Sequence, residues 1–137
     1  MRSVQGLHLT ADLHECQCDA VWLTDSPRLA AWCERAVAQA GLQAVAQLAY
    51  SFPPVNGGPS GVTATILLAE SHLCVHTWPE QQAVTVDVYV CNVGADHSLR
   101  AHALLQTLID LFVPARVERH SLRRGEIPEL TASLNKR

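Results

Sequence analysis

Between Glu70 and Glu80 the chain gathers a serine, two histidines, a cysteine, a tryptophan and two carboxylates into eleven residues, Glu-Ser-His-Leu-Cys-Val-His-Thr-Trp-Pro-Glu. Two chemistries suit these residue types. A metal site could draw on His72, Cys74 and His76 with Cys91 nearby, soft and borderline ligands that suit zinc. Spacing weighs against it, because residues two apart on a strand stand about 7 Å apart and only adjacent pairs could share one ion easily. Cys16-Gln17-Cys18 is likewise too tight for a zinc knuckle, so no metal is expected. A hydrolase would use Ser71 as nucleophile and a histidine as its base. The Gly-x-Ser-x-Gly elbow is absent, however, and Ser71 sits in Ala69-Glu70-Ser71-His72-Leu73 without a glycine. On pattern alone a turn serine is the plainer reading.

The elements that must carry these residues are legible from periodicity. Leu7, Leu9, Ala11 and Leu13 alternate with His8, Thr10 and Asp12 in a half-buried strand over 6–13. Asp25-Ser26-Pro27 opens a helix with a capping side chain and a proline in the first turn, and Leu29, Trp32, Cys33, Ala36, Val37 and Ala40 follow at helical spacing up to Gly41. A strand is expected over 42–52. Pro53-Pro54-Val55-Asn56-Gly57-Gly58-Pro59-Ser60-Gly61 is too rich in proline and glycine for regular structure and reads as a functional loop. Val62 to Ala69 reads as a central strand apolar on both faces. A short strand around Leu73 and Val75 puts His72, Cys74 and His76 on one face, and Pro79 to Gln82 make a turn. Val84, Val86, Val88 and Val90 alternate with Thr85, Asp87, Tyr89 and Cys91. Ser98 caps a helix that ends near Pro114, and a short strand over 115–120 precedes a loosely ordered polar tail.

This order predicts an α+β fold over 1–137 as a single domain: a two-layer sandwich of a mostly antiparallel sheet with two helices on one face. The other sheet face would be bare, which predicts a homodimer burying sheet against sheet as a four-layer αββα assembly. With 137 residues, 48% hydrophobic and 17% charged, the chain is long enough to bury a real core. A net charge of -3 gives no electrostatic case for nucleic acid. No apolar run approaches a membrane span and no signal-peptide core follows Arg2. Five cysteines without framework spacing complete the expectation of a cytoplasmic protein with reduced thiols.

The run from Gly61 to Glu80, continued by Val86-Asp87-Val88-Tyr89-Val90-Cys91, closely resembles the prokaryotic S-adenosylmethionine decarboxylase proenzymes. That family carries an Ala-Glu-Ser-His-Leu, a His-Thr-Trp-Pro-Glu and an Asp-Val-x-x-Cys in this order. The resemblance implies self-cleavage between Glu70 and Ser71, giving a β chain of residues 1–70 and an α chain of residues 71–137. The α chain would begin with a pyruvoyl group made from Ser71, the cofactor that forms a Schiff base with the substrate amine and stores the electron pair left by decarboxylation. It further implies that His76 accepts the Cα proton during processing, that Cys91 returns a proton to the substrate carbon, and that a hydroxyl at Thr63, often serine in the family, assists processing. Glu80 would bind ribose hydroxyls, and Leu73, Trp78 and Phe52 would line the pocket for the substrate, S-adenosylmethionine, whose decarboxylated product serves spermidine synthesis. His72 and Cys74 receive no role. The loop between Phe52 and Gly61 is longer than the family pattern, which points to a displaced Phe52. A pyruvoyl enzyme acting on ornithine or arginine, and an unprocessed binding module, are the alternatives.

Overall fold

The computed structural model describes residues 4–54 and 56–130. Six strands form one sheet: β1 (Val4–Cys16), β2 (Ala44–Ser51), β3 (Val62–Leu68), β4 (Ser71–Trp78), β5 (Ala83–Cys91) and β6 (Pro114–Ile127). Their spatial order is β2-β3-β4-β5-β1-β6, and all five neighbouring pairs are antiparallel. Helices α2 (Ser26–Gln39) and α3 (Ser98–Phe112) cover one face. The fold is therefore the expected α+β sandwich. A third helix, α1 (Val21–Thr24), was not anticipated, being one turn long with little room for a periodic pattern.

Alternation decides which face each strand residue serves. Leu9, Ala11 and Leu13, Val62, Ala64 and Ile66, Leu73 and Val75, and Val84 to Val90 at every second position are buried against Leu29, Cys33 and Val37 of α2 and Leu104, Leu108 and Phe112 of α3. Asp25 caps α2 by accepting the Arg28 backbone N–H at 3.0 Å, as the Asp-Ser-Pro signal predicts. Thr77 is a buried polar residue on this core side. Its hydroxyl donates to the Leu23 carbonyl at 2.7 Å and accepts the Val62 N–H at 2.8 Å, tying α1 to β3 and β4. No helix among the described residues is long and apolar enough to cross a membrane.

Several boundaries differ from expectation. β3 is not apolar on both faces: Thr63 and Thr65 stand on the side away from the helices, and Leu67 there is half exposed. Residues 121–127 are not a loose tail but the continuation of β6, in one register against β1 from Cys16↔Pro114 to Gly6↔Arg124 and shifted by a bulge before Val4↔Ile127. An edge strand pairs on one side only, so β6 needs no apolar alternation to form, and its polar sequence concealed it. His97, not Ser98, occupies the N-cap of α3, while Asp96 Oδ1 accepts the Ser98 N–H at 2.9 Å. Pro79–Gln81 is a turn of 3₁₀ helix. Val55 and the tail beyond residue 130 lie outside the described residues.

Candidate active site

The Glu70–Ser71 bond sits in the two-residue turn between β3 and β4, where Leu68 pairs with Ser71. Glu70 has φ 58°, the left-handed region that costs a residue with a Cβ about 1 kcal/mol or more. Ser71 Oγ accepts the backbone N–H of Cys91 at 3.0 Å, so the last residue of β5 grips the serine hydroxyl. By strand alternation Ser71 shares the side of Leu73, Val75 and Thr77, facing the helices. There it lines a cavity of about 260 Å³ with Gly41, Leu42, Gln43, Leu68, Ala69 and His97.

A second group of residues gathers at the opposite end of β4. Thr63 pairs in register with His76, and Thr63 Oγ1 lies 3.0 Å from His76 Nδ1. The Trp78 ring stands 6.2 Å from the imidazole, and Glu80 follows in the exposed 3₁₀ turn. Phe52 is at this end too. Its N–H donates to the Gly61 carbonyl at 2.8 Å, which closes the hairpin across the long loop. Gly61 admits no side chain here: a Cβ would lie 2.3 Å from the Thr77 carbonyl oxygen and 3.1 Å from the Phe52 ring. His76 borders an open-face hollow of about 310 Å³ lined also by Thr10, Asp12, Cys74, Thr85 and Asp87. Burial raises the Cys74 thiol above its ordinary value, with Asp87 adding to the effect.

The two groups do not meet within one chain. Ser71 and His76 are five positions apart on one strand, about 16 Å at 3.3 Å per residue. Cys91 and Glu70 belong to the Ser71 end; Thr63, His76, Trp78, Glu80 and Phe52 belong to the other. Leu73 lies between them, and its fully buried side chain faces the helices, leaving only its backbone to border a pocket.

His72 finds partners that spacing along the strand could not reveal. Cross-strand register aligns it with Tyr89 and Tyr89 with His8. Asp87 Oδ2 lies 2.9 Å from His8 Nε2 and 3.6 Å from His72 Nε2, and one ligand atom from each residue lies within 4.8 Å of the others. That is close enough for a metal ion, but the protons are arranged otherwise. Arg124 Nη1 lies 3.1 Å from His8 Nδ1. Guanidinium can only donate, so Nδ1 accepts and Nε2 carries the proton that Asp87 receives. A metal at Nε2 would force an Nδ1–H against the arginine, and the Arg124 charge, stacked 5.0 Å over Tyr89, opposes a second cation.

Residues 7–125 match the family described as S-adenosylmethionine decarboxylase. The S-adenosylmethionine decarboxylase proenzyme of Aquifex aeolicus (strain VF5) is 35% identical over 129 residues, covering 94% of this chain and 87% of the relative. That of Picrophilus torridus is 34% identical over 125 residues, covering 91% and 88%. The crystal structure of the adenosylmethionine decarboxylase from Aquifex aeolicus VF5 superposes with a TM-score of 0.75 at 32% identity, covering 92% of this chain and 95% of that one. With sequence and fold matched over nearly their whole lengths, the chain belongs to the S-adenosylmethionine decarboxylase family.

Proposed function

We propose that this chain is a proenzyme that cuts itself before Ser71 and then decarboxylates S-adenosylmethionine, in a homodimer whose sites are shared between protomers. The observation that carries the reading is the turn itself: a left-handed Glu70 directly before a serine whose hydroxyl is held in place by the Cys91 N–H. In the cleavage, Ser71 Oγ attacks the Glu70 carbonyl carbon, the peptide C–N bond breaks and the serine nitrogen takes the proton, leaving an ester. Removal of the Ser71 Cα proton expels the Glu70 carboxylate. Dehydroalanine remains, and water converts it to pyruvoyl and ammonia. A residue at a tight, exposed turn suits this sequence, because both chain ends can separate without unthreading the sheet.

His76 is the base for the Cα proton, with Thr63 orienting its ring through Nδ1. Since about 16 Å separates His76 from its own Ser71, the base comes from the partner. A two-fold axis lying between two face-packed sheets and crossing β4 near its middle brings the Ser71 end of one protomer over the His76 end of the other. Register puts Tyr50, Leu48, Leu67 and Leu122 on this bare face, all exposed and apolar, as a sheet-to-sheet interface requires.

The pyruvoyl group supplies an electrophilic ketone that takes up the substrate amine and stores the electron pair released with carbon dioxide. Around it, Cys91 returns a proton to the substrate carbon, Glu80 accepts hydrogen bonds from the ribose, and Trp78 and Phe52 flank the adenine. Asp12 and Asp87 in the open-face hollow suit a cationic sulfonium substrate. The names of the relatives favour this substrate over ornithine or arginine. Denaturing gels of the purified chain are expected to show fragments 1–70 and 71–137, the second with a blocked N-terminus. Carboxyl-labelled S-adenosylmethionine should release carbon dioxide, and ornithine and arginine should not. A Ser71→Ala chain that is still cut at this bond would overturn the proposal.

A further inference from the structure

We infer that His97, backed by Arg100, is the hydrogen-bond donor that stabilises the oxyanion formed on the Glu70 carbonyl when Ser71 attacks it; the inference rests on the self-cleavage reading above. Sequence reasoning gave His97 no role. The structure puts it in the wall of the same cavity as Ser71, on the helix side to which strand alternation turns the serine hydroxyl. The two are held by one short piece of backbone. Cys91 N–H grips Ser71 Oγ, and the next residue, Asn92, accepts the His97 N–H on its side-chain oxygen at 2.8 Å. Asn92 is itself anchored, donating its backbone N–H to the Gln5 carbonyl at 2.7 Å and its side-chain amide to Ser98 Oγ at 3.2 Å.

The imidazole is set up as a donor. Arg100 Nη1 lies 3.0 Å from His97 Nδ1, and because guanidinium only donates, Nδ1 accepts and Nε2 carries the hydrogen. A ring in that tautomer has no free lone pair for the Ser71 proton, but it offers an N–H with a fixed positive charge behind it. Arg100 lies over Gly41, where a Cβ would come 3.0 Å from Nε, so this glycine of the cavity wall also makes room for the arginine behind His97. An N–H and a cation fixed before reaction, beside the bond on which negative charge develops, are the ingredients of oxyanion stabilisation. His97 thus attends the acyl shift from the helix side, while the partner's imidazole reaches the Cα proton from the bare sheet face.

The test follows self-cleavage of freshly folded chain on denaturing gels, with and without hydroxylamine, which cleaves esters and so reports whether the acyl shift has occurred. His97→Ala should slow cleavage by tenfold or more, hydroxylamine should not restore the rate, and His97→Gln, which keeps an N–H donor, should recover part of it. Arg100→Ala should slow cleavage by a smaller factor. Wild-type cleavage rates in His97→Ala, equal slowing in His97→Ala and His97→Gln, or full acceleration of His97→Ala by hydroxylamine would each overturn the inference. All of these leave the self-cleavage reading standing as long as wild type is cut and Ser71→Ala is not. A wild-type chain that stays intact overturns both.

Discussion

Hybrid dimers test the shared site directly. Ser71→Ala removes the group that is cut, and His76→Ala removes the proposed base, so neither chain carries both. Within one chain the two residues are about 16 Å apart along the strand, against the roughly 3 Å needed for proton transfer. A hybrid assembled by two-fold symmetry has one site with an intact Ser71 facing the partner's intact His76, and one site with neither. Random pairing of equal amounts makes about half of all dimers hybrid, so about a quarter of all sites are competent. Two affinity tags used in succession isolate the hybrids, in which one site in two should work. The identity of the cut chain is the sharper readout. Only the His76→Ala chain should be cleaved, because it alone contributes a serine, and the Ser71→Ala chain should stay whole. If the hybrids stay uncut, or if the His76→Ala parent cuts itself at the wild-type rate, the argument from strand length is wrong.

Two further outcomes follow from the core. Thr77→Val leaves the Leu23 carbonyl and the Val62 N–H buried without their partner, and unmet buried groups cost about 1–3 kcal/mol each, so urea titration should show a loss of about 2–6 kcal/mol. Burial pushes the Cys33 thiol up to about 12, and burial with a contribution from Cys18 pushes Cys16 up to about 11, both from 9.0. The unfolded thiols ionise first, so stability is whole below pH 9 and falls as pH rises from 9 toward 12; for Cys33 alone the loss from about pH 8 to about pH 10.5 is about 2 kcal/mol. Denaturant midpoints across that range check it, and a Cys33→Ala chain with an equally steep decline would show that this thiol is not the cause.

How far the sequence revealed the site depended on whether a feature is local. Alternation over Val84 to Cys91 and the Asp25-Ser26-Pro27 start are statements about neighbours in the chain, and both elements appear where they were expected. The Thr63–His76 contact and the His8–Asp87–His72 cluster depend on which strand lies beside which and in what register. One residue of slip would redirect every such pair, and nothing local fixes it. His8 showed only as a polar member of an alternating strand. His97 showed only as a residue before a helix, and its signal is the tertiary return of that loop to the end of β5. Nearness along an extended strand is distance in space, and about 16 Å of β4 lies between Ser71 and His76.

If the halves come from different protomers, self-cleavage is a consequence of assembly, and a monomer should be an intact store of proenzyme. Leu67 lies opposite His72 on the bare face and Leu122 lies opposite His8, and both are about half exposed in the lone protomer. Glutamate at both positions puts two like charges per protomer into the middle of the proposed sheet-to-sheet contact. Burying such a charge unpaired costs several kcal/mol, enough to oppose association, while an exposed glutamate on the free face of a monomer disturbs little of the helix-side core. The double variant should elute as a folded monomer with unchanged circular dichroism, and it should remain uncut at Glu70–Ser71 when wild type has been processed fully. A folded monomer that still cleaves itself would mean that Ser71 finds its proton acceptor within its own chain.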